Sequence, residues 1–352
     1  MRLALSIGPA TWLQSSGVDV AVERVQRAEA LGFDSVWATE DPDGWDAFAA
    51  LSLLAGKTSR IHLGSGLTNP YLRHPNLIAA SIATLQRASG GRAFLGIGRG
   101  EPDWYRRAFG MEIGSPLKRV RETIDVLHQW WGADARASND GEFVVRDWRR
   151  SFSPGTPPPI YIGATGRQML AQAGAIGDGV RFNVLSSPEL IRDGIGTARD
   201  AASAAGRVPD ALRMFASPSL TITRDPETRR RAIDAAKTTM AYIHVLPGMD
   251  RQLLGLEPDF EVATILSRVR NVMRTEEVLA RGGSFADLKA AGDLSAAKTI
   301  IPDDLVLAVA AIGTWNDVEP RLRLYADAGV TDVFASPETV ADDTVRAAIL
   351  AL

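Results

Sequence analysis

The chain has 352 residues, 45% of them hydrophobic and 23% charged, which is enough apolar material for a large core in one barrel or two smaller domains. A formal net charge of -3 leaves no basic field for nucleic-acid phosphates, and the absence of cysteine excludes disulfides and thiolate metal sites. The four histidines, His62, His74, His128 and His244, are too far apart in sequence to make a local metal motif, so no metal site is expected.

The N-terminal MRLALSIGPATW is too short in its apolar part for a signal peptide, and no apolar run reaches the roughly 18 residues of a membrane span. A cytoplasmic protein that spans no membrane is expected. RLALSIG reads as a strand. VDVAVERVQRAEALG then places Val18, Val22, Val25, Ala28 and Leu31 near helical spacing and stops at Gly32. The pair repeats as SVWATE with WDAFAALSLLAGKT, IHLGSGL with HPNLIAASIATLQRASGG, and AFLGIG with SPLKRVRETIDVLHQWWG. EFVVRDWRRSF is a short alternating piece, and the prolines of SPGTPPP suit a connection rather than a central strand. IYIGATG, GVRFN, LRMFASPSLTIT and VTDVFAS then complete eight strand positions.

Alternating units with near-continuous apolar strands predict α/β architecture as a (β/α)8 TIM barrel, with an open doubly wound sheet as the structural rival. Residues 1–352 are read as a single barrel domain. The stretch from about 226 to 311 is longer than a barrel helix and holds several helical pieces, so it is expected as a helical insertion near the C-terminal mouth.

Barrel enzymes place their chemistry at the C-terminal strand ends. The residues there are Glu40 and Asp41; Gly66, Leu67, Thr68 and Asn69; Gly98, Arg99, Gly100 and Glu101; Gly163, Ala164, Thr165, Gly166 and Arg167; Asn183; and Ser217. In GIGRGEP, Glu101 stands where a dinucleotide fingerprint needs its third glycine, so the glycines are read as letting a flat ligand approach the backbone, with Glu101 as proton donor or acceptor. A tight turn with an exposed glutamate accounts for the same letters. YIGATGRQML passes from strand to helix through Gly163 and Gly166, where free N–H groups and Arg167 suit an anion; an ordinary turn is the alternative. In TEDPDGWDAF, Asp43 or Asp46 is a helix cap, while Glu40 and Asp41 are close enough to the strand end to face a ligand. Trp12, Trp45, Trp104 and Tyr105 are candidate walls of an apolar pocket, or packing residues.

Together, LGFDSVWATEDPDGWDAFAAL, LGSGLTNPYLRHP, SGGRAFLGIGRGE, PPIYIGATGRQMLAQAGAIGDGV and GTWNDVEPRLRLYADAGVTDVF resemble the luciferase-like monooxygenase superfamily, and most of all its branch that uses the deazaflavin coenzyme F420. The resemblance covers almost the whole chain. It implies an F420-dependent oxidoreductase that transfers a hydride to or from a small organic substrate. It also implies a homodimer, and a non-prolyl cis peptide at Gly66-Leu67 behind the cofactor ring. Gly98, Arg99, Gly100 and Glu101 would then run along the cofactor, Gly163 to Gly166 would surround its phosphate, and Asp41 would be the second candidate acid or base. One departure stands out: Glu40-Asp41 replaces the Asp-His pair often found after the second strand, so a histidine mechanism is not carried over. An FMN-dependent monooxygenase is the first alternative, and a non-catalytic cofactor-binding barrel the second.

Overall fold

SVWA and AFLGI are buried at every residue, so these strands have no face to give to water and need cover on both sides. The structure, a computed structural model, describes residues 1–8, 17–40, 44, 46–152 and 154–352. In it, eight parallel strands close into a barrel: β1 (Arg2–Ile7), β2 (Ser35–Ala38), β3 (His62–Ser65), β4 (Ala93–Ile97), β5 (Ile160–Gly163), β6 (Gly179–Val184), β7 (Arg213–Ser217) and β8 (Asp332–Phe334). The closing contact, Arg2 to Asp332 through Ala4 to Phe334, removes the open-sheet alternative.

Alternation along each strand sorts the core into two parts. Leu3, Leu5, Ile7, Val36, Leu63 and Leu95 pack outward against the helices. Ala4, Trp37, Phe94, Tyr161, Phe215 and Phe334 point inward as an aromatic layer that fills the barrel. The Trp37 ring lies 4.4 Å from Phe94 and 4.7 Å from Phe215, and its indole N–H donates to Ser35 Oγ at 3.1 Å. Rings of this size need small neighbours. A Cβ on Gly64 would stand 2.3 Å from Phe94, and one on Gly96 would stand 2.0 Å from the Ser65 carbonyl oxygen. At the N-terminal end of the barrel, Arg213 is paired with Asp332 and Asp34, and Asp332 is entirely buried.

Asp46 caps the helix Ala47–Ala55 by accepting the Ala49 N–H, the role expected of it; Asp43 lies outside the described residues. EFVVRDWRRSF is half of a β-hairpin, in which Val144–Arg149 pairs antiparallel with Arg136–Asp140. Sequence reasoning missed the partner strand, although Asp140-Gly141 is a hairpin turn signal.

The helices between Pro226 and Val309 share a core of their own, built from residues such as Ile233, Met240, Leu266, Val269 and Leu305. A two-stranded parallel clasp, Thr221–Ile222 with Ile312–Gly313, joins the points where this segment leaves and re-enters the barrel. Among the described residues, no helix is long and apolar enough to cross a membrane.

Candidate active site at the barrel mouth

A cavity of about 890 Å³ opens at the C-terminal ends of the strands. Glu40, Leu67, Thr68, Asn69, Gly98, Arg99, Gly100 and Glu101 line it, as do Gly163, Ala164, Thr165, Gly166 and Arg167. Gly66 does not: a Cβ there would meet the Cβ of Trp37 at 2.8 Å, which places the residue against the barrel interior. Asp41 lies outside the described residues, as do Trp12 and Trp45. Asn183, Trp104 and Tyr105 reach the cavity, whereas Ser217 is not among its lining residues.

The irregular end of β3 sets this geometry. Gly66 N–H donates to the Ala38 carbonyl at 2.6 Å, and the Gly66-Leu67 peptide is cis. The chain rejoins the sheet at Thr68, whose N–H donates to Gly96 O at 3.0 Å and whose carbonyl accepts from Gly98 N at 2.9 Å. Between these anchors, Leu67 is laid against the aromatic layer.

Leu67 also occupies the space left by absent side chains. The Cβ position of Gly163 is 2.1 Å from Leu67 Cδ1, and that of Gly98 is 3.1 Å from it. Gly98, expected to let a ligand approach the backbone, therefore also makes room for Leu67, as Gly163 does. Gly163→Ala is accordingly expected to lower stability by about 1–3 kcal/mol, the usual cost of overpacking. Urea unfolding reads it, and an unchanged midpoint would mean that Leu67 moves aside freely. Gly100, at φ +62, is needed for its backbone conformation and for its approach to the Tyr105 hydroxyl.

Two carboxylates in the mouth have different work. Glu40 accepts from Thr68 Oγ1 and from Arg73 Nε, both at 2.5 Å, and only 8% of its side chain is exposed. It braces the bulge, and Arg73 continues the brace to Asp46. Glu101 begins the helix Pro102–Phe109, which the sequence reading did not foresee, but makes no capping bond with its carboxyl.

What fixes Glu101 is its backbone. Its N–H donates to Tyr105 Oη at 3.2 Å, and Asn69 Nδ2 donates to the same oxygen at 3.2 Å. Asn69 Oδ1 accepts from the N–H groups of Tyr71 and Leu72, so this buried amide organises TNPYL and supports the glutamate from behind. The Glu101 side chain is 23% exposed, since it lines the cavity, yet it lies deep in the protein. Burial pushes its pKa up to about 7; Arg99, 3.9 Å away, opposes that and Asp103 adds to it. A carboxyl with this pKa changes protonation in the neutral range, as an acid or base catalyst should.

After the neighbouring strand β5, Gly166 starts the helix Arg167–Ile176 with no side chain capping it, leaving the first N–H groups of a ten-residue helix toward the cavity rim. Arg167 and Arg251 stand at the same rim, and Arg251 Nη1 lies 3.5 Å from the Cβ position of Gly166.

Sequence reasoning missed Arg181, Met249, Arg251 and Phe285. A charge inside the buried strand GVRFN was the available signal for Arg181; the others come from the insertion, where no local motif marks them. Phe285 meets Trp104 edge to face, with ring centres 4.5 Å apart, and so closes the insertion over the helix that begins at Glu101.

A closed parallel barrel with a cavity and a neutral-range carboxyl at the C-terminal mouth defines an enzyme-like α/β barrel. The profile of the luciferase-like monooxygenase family matches residues 1–332, and the chain belongs to that family. It is similar to the 5,10-methylenetetrahydromethanopterin reductase of Archaeoglobus fulgidus, with 34% identity over 316 residues, covering 88% of this chain and 87% of that protein. It is also similar to the F420-dependent glucose-6-phosphate dehydrogenase of Nakamurella multipartita, with 33% identity over 214 residues, 57% of this chain and 62% of that one. Among solved structures, the coenzyme F420-dependent tetrahydromethanopterin reductase of Methanopyrus kandleri superposes with a TM-score of 0.76 at 25% identity, covering 99% of this chain and 96% of that one.

Proposed function

We propose that this chain is a coenzyme F420-dependent oxidoreductase that moves a hydride between the deazaflavin ring and a small organic substrate. The observation that carries this reading is Glu101, a carboxyl with pKa near 7 facing the mouth cavity of a chain whose relatives are F420-dependent oxidoreductases.

The residues present fit the cofactor. Leu67 gives the floor an apolar surface, and the uncapped helix start at Gly166 with Arg167 and Arg251 is a donor set for a phosphate. Leu67 would support the back of the ring, Gly98, Arg99, Gly100 and Glu101 would flank it, and Gly163, Ala164, Thr165 and Gly166 would hold the phosphate. When bound, F420 provides a two-electron hydride carrier without the oxygen chemistry of a reduced flavin.

The chain's own residues do the rest. Glu101, in its protonated form, gives a proton to the substrate atom that gains charge, and in its ionised form takes one in the reverse direction. The insertion contributes Leu246, Met249 and Phe285 to the cavity wall, an apolar cover on one side of it. We read the chain as a single domain, since barrel and insertion wall one cavity. A cytoplasmic homodimer belongs to the same reading, supported for its assembly by the family resemblance.

Fluorescence titration of the protein with F420 and with FMN tests this. Saturable F420 binding is expected, with FMN weaker; tight FMN binding with none for F420 would reverse the reading in favour of a flavin monooxygenase.

A further inference from the structure

Leu67 shares the cavity floor with a charge. Arg181 is the third residue of β6 and pairs in register with Gly163 of β5. Because Leu67 fills the side-chain position of Gly163, Leu67 and Arg181 come from places side by side on the inner wall. Both rest on the same aromatic layer: Leu67 packs against it, and the Arg181 guanidinium lies 4.9 Å from the ring centre of Phe334 and 5.6 Å from that of Trp37. Of the arginines among the described lining residues, Arg99, Arg167 and Arg251 come from strand ends, a helix start and the insertion, whereas Arg181 comes from within a barrel strand. A guanidinium keeps its proton in any protein setting, and over an aromatic layer its field is less screened than at the surface.

Building on the F420 reading, we infer that Arg181 sets the redox balance of the bound cofactor by favouring the reduced ring, which carries one more negative charge, over the oxidised ring. A hydride carries two electrons and one proton, all from the C–H bond that breaks in the substrate. The ring that receives it therefore gains one negative charge unless a second proton follows. A fixed cation in the floor stabilises the more negative reduced form by more than the oxidised one, so the oxidised ring becomes the better hydride acceptor. The aromatic layer keeps the guanidinium in place, and no reorganisation is needed when the charge arrives.

The test is the affinity of oxidised and chemically reduced F420, measured under anaerobic conditions for the wild type, Arg181→Met and Arg181→Lys. Arg181→Met is expected to weaken reduced F420 about tenfold more than oxidised F420, the order of effect of one neighbouring opposite charge. That corresponds to a fall of about 30 mV in the midpoint potential of the bound cofactor, a second readout that does not depend on turnover. Arg181→Lys should keep most of the preference, because it keeps the charge. Equal weakening of both forms, or identical behaviour of the Lys and Met variants, overturns the inference while leaving the F420 reading intact. A wild type that binds neither form overturns the F420 reading, and this inference with it. Circular dichroism checks folding, and if Arg181→Met does not fold, Arg181→Gln against Arg181→Lys makes the same comparison.

Discussion

Replacing Glu101 with Gln is expected to lower kcat by about 10²–10⁴-fold, the range for loss of a general acid or base, while the F420 affinity changes by no more than about threefold. Gln preserves shape and cannot deliver the proton. The pH dependence should change with it. With its pKa at about 7, wild-type Glu101 is protonated below neutrality, so the reaction direction that needs an acid runs at a plateau below pH 7 and falls about tenfold per unit above it. The reverse direction shows the mirror image, rising to a plateau above pH 7. The variant should lose this limb in both directions.

Stability provides an independent check with the opposite sign. A carboxyl whose folded-state pKa is raised above its ordinary value favours folding in its protonated form. That contribution is fully present below about pH 4.5 and is lost as pH rises through 7. At pH 8 the Gln variant should therefore be as stable as the wild type or more so, although slower. Turnover and pH profile unchanged by the substitution would remove Glu101 from the chemistry.

Arg213→Met should be the most damaging substitution at the far end of the barrel. Arg213 donates to both Asp332 and Asp34, and Asp332 has no exposed surface, so deleting the cation leaves a buried carboxylate with only the exposed Arg2, 3.8 Å away, as countercharge. The expected loss is about 3–5 kcal/mol, read from urea unfolding at neutral pH. Arg213 is itself pushed above the ordinary arginine range: burial acts to lower it, and the hydrogen bond to Asp332 with its charge prevails. Exchanging Arg213 and its fully buried partner together, Arg213→Met with Asp332→Asn, should recover part of the stability, since only the partly exposed Asp34 then loses its pairing with Arg213. A single variant within about 1 kcal/mol of the wild type would show that solvent reaches the cluster well enough to screen it.

The eight strand positions and the insertion between residues 226 and 311 were legible because burial writes itself into composition. Strands covered on both faces read as short continuous apolar runs, and helices as apolar stripes between them. Most of the candidate site was legible for a related reason. In a parallel barrel the chain must leave every strand at the same end, so residues following each apolar run are drawn to one mouth.

Local letters misled where they have two physical uses. Gly98 in sequence reads as an opening for a ligand and Gly163 as part of an anion-binding turn, yet in the structure Leu67 occupies the space at both side-chain positions. Asn69 was read as a cofactor contact; it lines the cavity, yet its hydrogen bonds go to Tyr71, Leu72 and Tyr105, which makes it a support for Glu101. Sequence reasoning assigns Glu40 to the ligand and Glu101 to proton transfer, and the structure adds the physical difference between the two. Arg73 and Thr68 engage the first, while the second has only a distant arginine and a deep setting.

By itself, then, the sequence determined the barrel, the end of it that carries the site, and the family motifs TNPYLRHP and GIGRGE, because periodicity and strand-end chemistry are local properties. Only the tertiary structure decided which carboxyl titrates near neutrality, which arginine lies in the floor, and how Phe285 and Arg251 reach a mouth formed by residues far earlier in the chain. A pKa, a cation held over an aromatic layer and a wall contributed by the insertion depend on groups brought together across the fold, and no stretch of sequence contains them together.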